Sequence, residues 1–293
     1  MKFELSCGGM RAVADSRGGE LISLQDAQGT QYIWNGDPAF WAGRNPLLFP
    51  IVGNLKNGEV QIRGQACRMG RHGFAREMEF SPVRQDDRQV VLELRESPKT
   101  LQCYPFAFSL RVTHTLNEDG FTTAFEVRNT GHAPMPFCIG AHTAFCCPIH
   151  PGERFEDYRL VFDRPEHAQT LLLTADGLVK HGCTRPMLKE EDSFSLDRSV
   201  FERLDTIILE DLRSSGVGLY HRETGRGLHV DFGGFPMVAF WTKSGCEAPF
   251  ICIEPWHGCA ALDNESGEFS DKPYCITLPA GQSMHLSYTV TVG

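Results

Sequence analysis

The chain predicts a mostly-β fold of many antiparallel strands in packed sheets, and three observations predict it. Short segments alternating apolar with polar residues recur between turn signals. Those segments are rich in Thr, Val, Phe and Tyr, the residues that fit a pleated, half-buried surface. Helical periodicity is scarce along all 293 residues.

Taken in chain order, "RQVVLELRES" alternates around Val91, Leu92 and Leu94, and "FAFSLRVTHTL" puts Phe106, Phe108, Leu110 and Val112 on one face. "FTTAFEVRNTG" and "SMHLSYTVTV" repeat the pattern, and each reads as a strand with one face toward a core. "YHRETGRGLHVDF" reads as a hairpin turning at Thr224-Gly225-Arg226-Gly227. "KEEDSFSLDRSVFERLD" has room for one or two helical turns, but its charges favour a solvated connection. With no linker, repeat or low-complexity tract, residues 1–293 are expected to form a single domain.

Composition narrows the function classes. Against 28 basic residues stand 37 acidic ones, a formal charge of -9, which argues against a nucleic-acid partner bound through phosphates. The eleven cysteines are odd in number, contain no CxxC pair and sit partly in apolar strands, with Cys146 and Cys147 adjacent. They read as buried, reduced thiols and imply a reducing compartment. The start, "MKFELSCGGM", has no apolar run of signal-peptide length, and no window approaches a membrane span. A soluble, cytoplasmic protein with no membrane partner is expected; nothing in the sequence indicates an oligomeric state.

Four places interrupt apolar strands with a group that costs energy to bury. In "FICIEPWHG", Glu254 ends a run that is apolar on both faces, and Pro255 then interrupts the ladder. A carboxylate held half-dry there is tuned toward a general base, although a strand-end partner for a structural Arg fits the same pattern. In "MPFCIGAHTAF", His142 shares its face with the small Cys138, Gly140 and Ala144, which leaves space beside the imidazole. In "MGRHGFARE", His72 stands between Arg71 and Gly73, where the backbone can turn or be closely approached. In "AGRNPLLFPIVGN", Arg44 precedes an Asn-Pro turn and an apolar run, so its guanidinium could present a rigid fork of donors. A hydrogen-bonded structural His, an exposed loop His and a surface Arg are the plain alternatives.

No metal is expected. Along a strand, His142, Cys146 and His150 would be strung out rather than converge, and Cys147 reads as packing. No nucleotide-binding loop, zinc-protease motif or serine-hydrolase elbow is present, so no cofactor is expected either.

In order, "RNPLLFPIVGNL", "RHGFARE", "YPFAF", "PFCIGAHTAF" and "FICIEPWHG" resemble the aldose 1-epimerase (galactose mutarotase-like) family, in particular its bacterial aldose 1-epimerase family proteins. The resemblance runs from about residue 3 to residue 290. It implies a large antiparallel β-sandwich, the supersandwich, with a small-molecule sugar bound across one sheet. It also implies cofactor-free interconversion of α and β anomers, with Glu254 as general base and His142 as general acid. By the same resemblance His72 and Arg44 hold sugar oxygens and Asp205 binds a hydroxyl, with Asp211 as its nearest competitor. Trp256, beside the base, could pack on an apolar face of the sugar or belong to the core.

Two departures stand out. Thr143 follows His142 where the resembling proteins commonly have Pro, so orientation of the imidazole falls to other packing. His257 could offer a second imidazole. Three further readings stay open: a hexose-6-phosphate mutarotase using Arg68, Arg71 and Arg76, a sugar-binding module without turnover, and a glycoside hydrolase using Asp205 and Glu254.

Overall fold

The computed structural model describes residues 1–293, and two large antiparallel sheets dominate it. One has nine strands, among them Gln89–Arg95, Phe108–Asn117, Gly120–Asn129 and Ser283–Val292 side by side. The other has six: Thr206–Glu210, Met237–Trp241, Phe250–His257, Ile139–Ala141 and Leu47–Leu48 in spatial order, with Thr143–Cys146 also paired to Phe250–His257. The architecture is all-β and antiparallel, as the alternation predicts.

Alternation sets the inner face of the larger sheet. Phe108, Leu110, Val112, His114 and Leu116 turn inward, and Phe121, Thr123, Phe125 and Val127 stand opposite them in register. In the neighbouring strand Val90, Leu92 and Leu94 point inward while Val91 lies on the other face. The smaller sheet closes over this surface with Ile207, Leu209, Val238, Phe240, Ile251 and Ile253. All belong to one hydrophobic cluster of 73 buried residues. Phe162 meets Phe240 across the interface at 6.1 Å between ring centroids. Packing of two sheets face to face makes a sandwich.

The hairpin forms as expected between Gly216–His221 and Gly227–Asp231, with Gly225 at φ +70° in the turn. The charged stretch after residue 188 is more structured than its composition suggests. Strand Glu191–Ser195 pairs at the sheet edge, and helix Arg198–Leu204 follows, its Asp197 side chain accepting from the Ser199 N–H. An N-cap oxygen satisfies a free helical donor, which offsets weak helical patterning. All eleven cysteines are unpaired and six are buried. No helix is long and apolar enough to cross a membrane.

Candidate active site

The smaller sheet has a second face, turned away from the sandwich core, and its register decides what collects there. Thr143 pairs with Ile253 and Gly140 with Trp256, so His142 falls opposite Glu254. On the far side Glu254 pairs with Ala239, and Trp241 with Thr206. Because side chains alternate, one face carries His142, Glu254, Trp256, Trp241, Thr206 and Ile208. These residues line a cavity of about 360 Å³, completed by Phe40, Trp41, Gly53, Arg71, His72, Arg76 and Lys243 among others.

His142 Nε2 and Glu254 Oε2 are 3.3 Å apart, and both side chains are buried. They are in contact without a formed hydrogen bond: His142 Nδ1, Glu254 Oε2 and Trp256 Nε1 are all buried with no partner. Each such atom costs about 1–3 kcal/mol when left unmade. Three around one cavity make a site with hydrogen bonds to give.

Burial governs the protonation of the pair. It raises the Glu254 carboxyl well above the usual range, opposed only in part by the Trp256 indole and the Arg71 charge. It lowers His142 to about 3, with Arg76 and Arg71 pushing the same way. The two groups therefore hold one proton between them in uncharged form, the carboxylic acid beside the neutral imidazole.

His72 is fixed by its backbone. It sits at φ +67°, an uncommon conformation for a residue with a Cβ. Its N–H donates to the Gly53 carbonyl (2.9 Å), its carbonyl accepts from Phe49, and Nδ1 accepts from the Gly53 N–H (3.1 Å). With Nδ1 accepting, the other ring nitrogen carries the hydrogen, and burial holds the ring neutral. Gly73 permits the close turn: a Cβ there would lie 2.3 Å from the Phe49 carbonyl oxygen. The His72 ring meets His142 edge-on at 5.5 Å.

The space beside His142 on its own strand is filled from elsewhere. Trp41 stacks on the imidazole at 4.9 Å and Trp241 meets it edge-on at 5.7 Å. Neither tryptophan stood out in the sequence; "AFWAG" and "MVAFW" carry only an aromatic residue near an apolar run. Opposite, Gly140 is required by Trp256, whose Cδ1 a Cβ would approach to 2.8 Å.

The strand after His142 is anchored through the sandwich instead of by a proline. Thr143 Oγ1 donates to Asn45 Oδ1 (2.8 Å), and Asn45 Nδ2 donates to the Tyr288 hydroxyl (3.1 Å). All three are buried, and Tyr288 belongs to the opposite sheet.

Four expected positions differ. Arg44 does not line the cavity: its Nε donates to the Asn35 carbonyl at 2.7 Å, and Arg71 and Arg76 bring the guanidinium groups to the wall instead. Asp205 lies next door, at φ +60° after the helix, lining an adjoining groove that shares Arg71, Leu173 and Gly177 with the cavity. Asp211 lines neither. His257 alternates to the other face, where Nδ1 meets the Tyr274 carbonyl at 2.8 Å. Glu254, His142, His72 and Trp256 do converge.

Known proteins share this arrangement of the chain. A family model described as aldose 1-epimerase matches residues 1–277. The LacX protein (chromosomal) of Lactococcus lactis subsp. lactis is 36% identical over 282 residues, covering 94% of each chain. A galactose mutarotase related enzyme from Lactobacillus acidophilus superposes with a TM-score of 0.95 at 26% identity, over 100% of this chain and 97% of that one. A galactose mutarotase-like protein from Lactobacillus casei gives 0.92 at 25% identity over the full length of both. With the motif order, the antiparallel sandwich and these matches in agreement, the chain belongs to the aldose 1-epimerase family.

Proposed function

We propose that this protein is an isomerase, an aldose 1-epimerase that interconverts the α and β anomers of a hexose by acid–base ring opening and closure. The observation that carries the reading is the His142–Glu254 pair, 3.3 Å apart on a cavity wall with unpartnered polar atoms. Mutarotation takes a proton from the anomeric hydroxyl and gives one to the ring oxygen, so it needs an acceptor and a donor on one C1–O5 unit.

One proton serves the whole cycle. Moving it from Glu254 to His142 gives the carboxylate and imidazolium from which opening starts. Glu254 takes the anomeric proton and His142 protonates the ring oxygen. The aldehyde turns about C1–C2, and the groups reverse their roles on closure. The pair ends as it began, so no cofactor is needed. His72 donates from its free ring nitrogen to a sugar oxygen, the Trp256 N–H donates to another, and the Trp256 ring packs against the sugar. Asp205 reaches substrate only from the adjoining groove. Arg44 supports the loop that carries Trp41.

A second reading, a phosphorylated hexose, is favoured by one observation. Arg71, Arg76 and Lys243 line the cavity, and none belongs to an ion pair. In a chain of net charge -9 that local excess of cations suits an anionic substituent. A soluble, cytoplasmic setting, where such sugars circulate, fits eleven unpaired cysteines.

Exchange between anomers, followed by NMR saturation transfer, tests both points. Glucose, galactose and their 6-phosphates are presented in turn. Catalysed exchange of at least one sugar is expected, with lower KM for a 6-phosphate under the second reading. Saturable binding of all four without faster exchange would make the protein a sugar-binding module instead.

A further inference from the structure

Close beside the His142–Glu254 pair lies a third reactive side chain for which ring opening has no use. Cys252 precedes Glu254 by two residues, so both point from the same face of the strand. Across the ladder it pairs with Ala144, two residues after His142. A ring nitrogen of His142, the Cys252 sulfur and a carboxylate oxygen of Glu254 lie within 4.8 Å of one another, and all three residues are buried. We propose that His142, Cys252 and Glu254 form a binding site for one thiophilic divalent cation of the zinc class, its fourth position open to the cavity.

Spacing supports this first. A tetrahedral zinc ion with nitrogen and oxygen ligands at about 2.0–2.1 Å sets those two atoms about 3.3 Å apart. His142 Nε2 and Glu254 Oε2 are 3.3 Å apart already. A sulfur at about 2.3 Å from the ion needs roughly 3.6 Å to each of the others, so from separations within 4.8 Å Cys252 closes by about 1.2 Å at most.

Charge supports it second. The thiolate, the carboxylate and the neutral imidazole together carry two negative charges, which a dication neutralises. Separately, burial penalises the charged form of each acid, and both Cys252 and Glu254 are buried. A neutral assembly escapes that penalty. Glu254 Oε2, one of the proposed ligand atoms, is also buried without a hydrogen-bond partner, so nothing in the fold already occupies it.

Donor type decides the ion. Thiolate and imidazole select zinc-like ions over magnesium or calcium, which take oxygen ligands. Binding at neutral pH releases two protons, one from the Cys252 thiol and one held by the His142–Glu254 pair. Arg71, Arg76 and Lys243 line the same cavity, so their charge slows entry of the ion. A bound ion takes both groups that move the proton and blocks anomer exchange. That consequence rests on the proposed function; the binding does not.

The full chain, stripped with chelator, is titrated with cobalt(II) chloride and read by thiolate-to-cobalt charge-transfer absorption. One ion per chain is expected, displaced by zinc chloride. Cys252→Ala, and Cys252→Ser as a volume-conserving second variant, should lose the band and bind at least about tenfold more weakly, the lower end of what loss of support costs a metal site. Zinc should inhibit wild-type exchange reversibly, with the variants at least about tenfold less sensitive. No cobalt band in folded wild type, or an unchanged band and affinity in both variants, would overturn the proposal. Should no exchange be catalysed by any form, the absorption readout still decides the metal site and the failure belongs to the functional reading.

Discussion

A carboxyl group with a partnerless oxygen, inside a strand that runs on through Pro255 to His257, works against the fold that holds it. Glu254 is 1% exposed, and burial has raised its pKa well above the ordinary range. Replacing it with an apolar residue of similar length removes an unsatisfied buried atom. Glu254→Met should therefore stabilise the protein by about 1–3 kcal/mol in urea unfolding while abolishing any exchange activity. Unchanged or lower stability would mean that the carboxyl makes compensating bonds in solution. Glu254, His142 and His72 were legible in the sequence because each is an ionisable group where packing would prefer an apolar one. Arg44 drew attention by the same logic, but a fork of donors before an apolar run says nothing about which way the loop carries it. Its Nε bonds the Asn35 carbonyl, and Arg71, one residue from His72, takes the place at the wall. Trp41 was not legible at all, since its stack on His142 joins residues about a hundred positions apart.

At the scale of elements, the strand that carries His142 depends on a polar row through the sandwich. His114 bonds Thr123 (2.8 Å), while Tyr288 bonds Asn45 and Thr143, the residue after His142. Asn45 is thus a positioning residue. Asn45→Ala should lower kcat about tenfold or more with KM little changed, and Asn45→Asp should restore part of it; a merely structural role would lower thermal stability and leave kcat of the folded fraction intact. Alternation revealed the strands of the nine-stranded sheet because one face meets the core and the other is more exposed. The six-stranded sheet is buried on both faces at Phe250–Ile253, so periodicity there marks a strand and hides its neighbours. Helix Arg198–Leu204 was hidden by charges that its exposed face tolerates.

For the whole molecule, three buried histidines link the fold to pH. Burial lowers His114 to about 4 and His142 to about 3, and holds His72 well below its ordinary value. Between those values and about 6.5 the unfolded chain binds more protons than the folded one, so stability rises with pH through this window. It is fully present above about 6.5 and lost as pH falls toward 4. His114 alone accounts for something on the order of 3 kcal/mol. The raised Glu254 and Glu20 carboxyls, the latter at about 7, act in the opposite sense over the same range. Urea midpoints from pH 8 to pH 4.5 should therefore fall below about 6.5 less steeply than the three rings alone would give, and His114→Gln should flatten the slope further. A slope left unchanged by His114→Gln would show that ring to be open to solvent.

The two sheets exist, in this account, to hold one proton between two side chains that face each other across a single ladder. Rates of catalysed anomer exchange in Glu254→Gln, His142→Gln and the double variant test that claim most directly. Each single change should cost about a hundredfold or more, and the double no more than the worse single, because the groups act as a unit. Wild-type exchange in Glu254→Gln, or losses that multiply in the double variant, would contradict it.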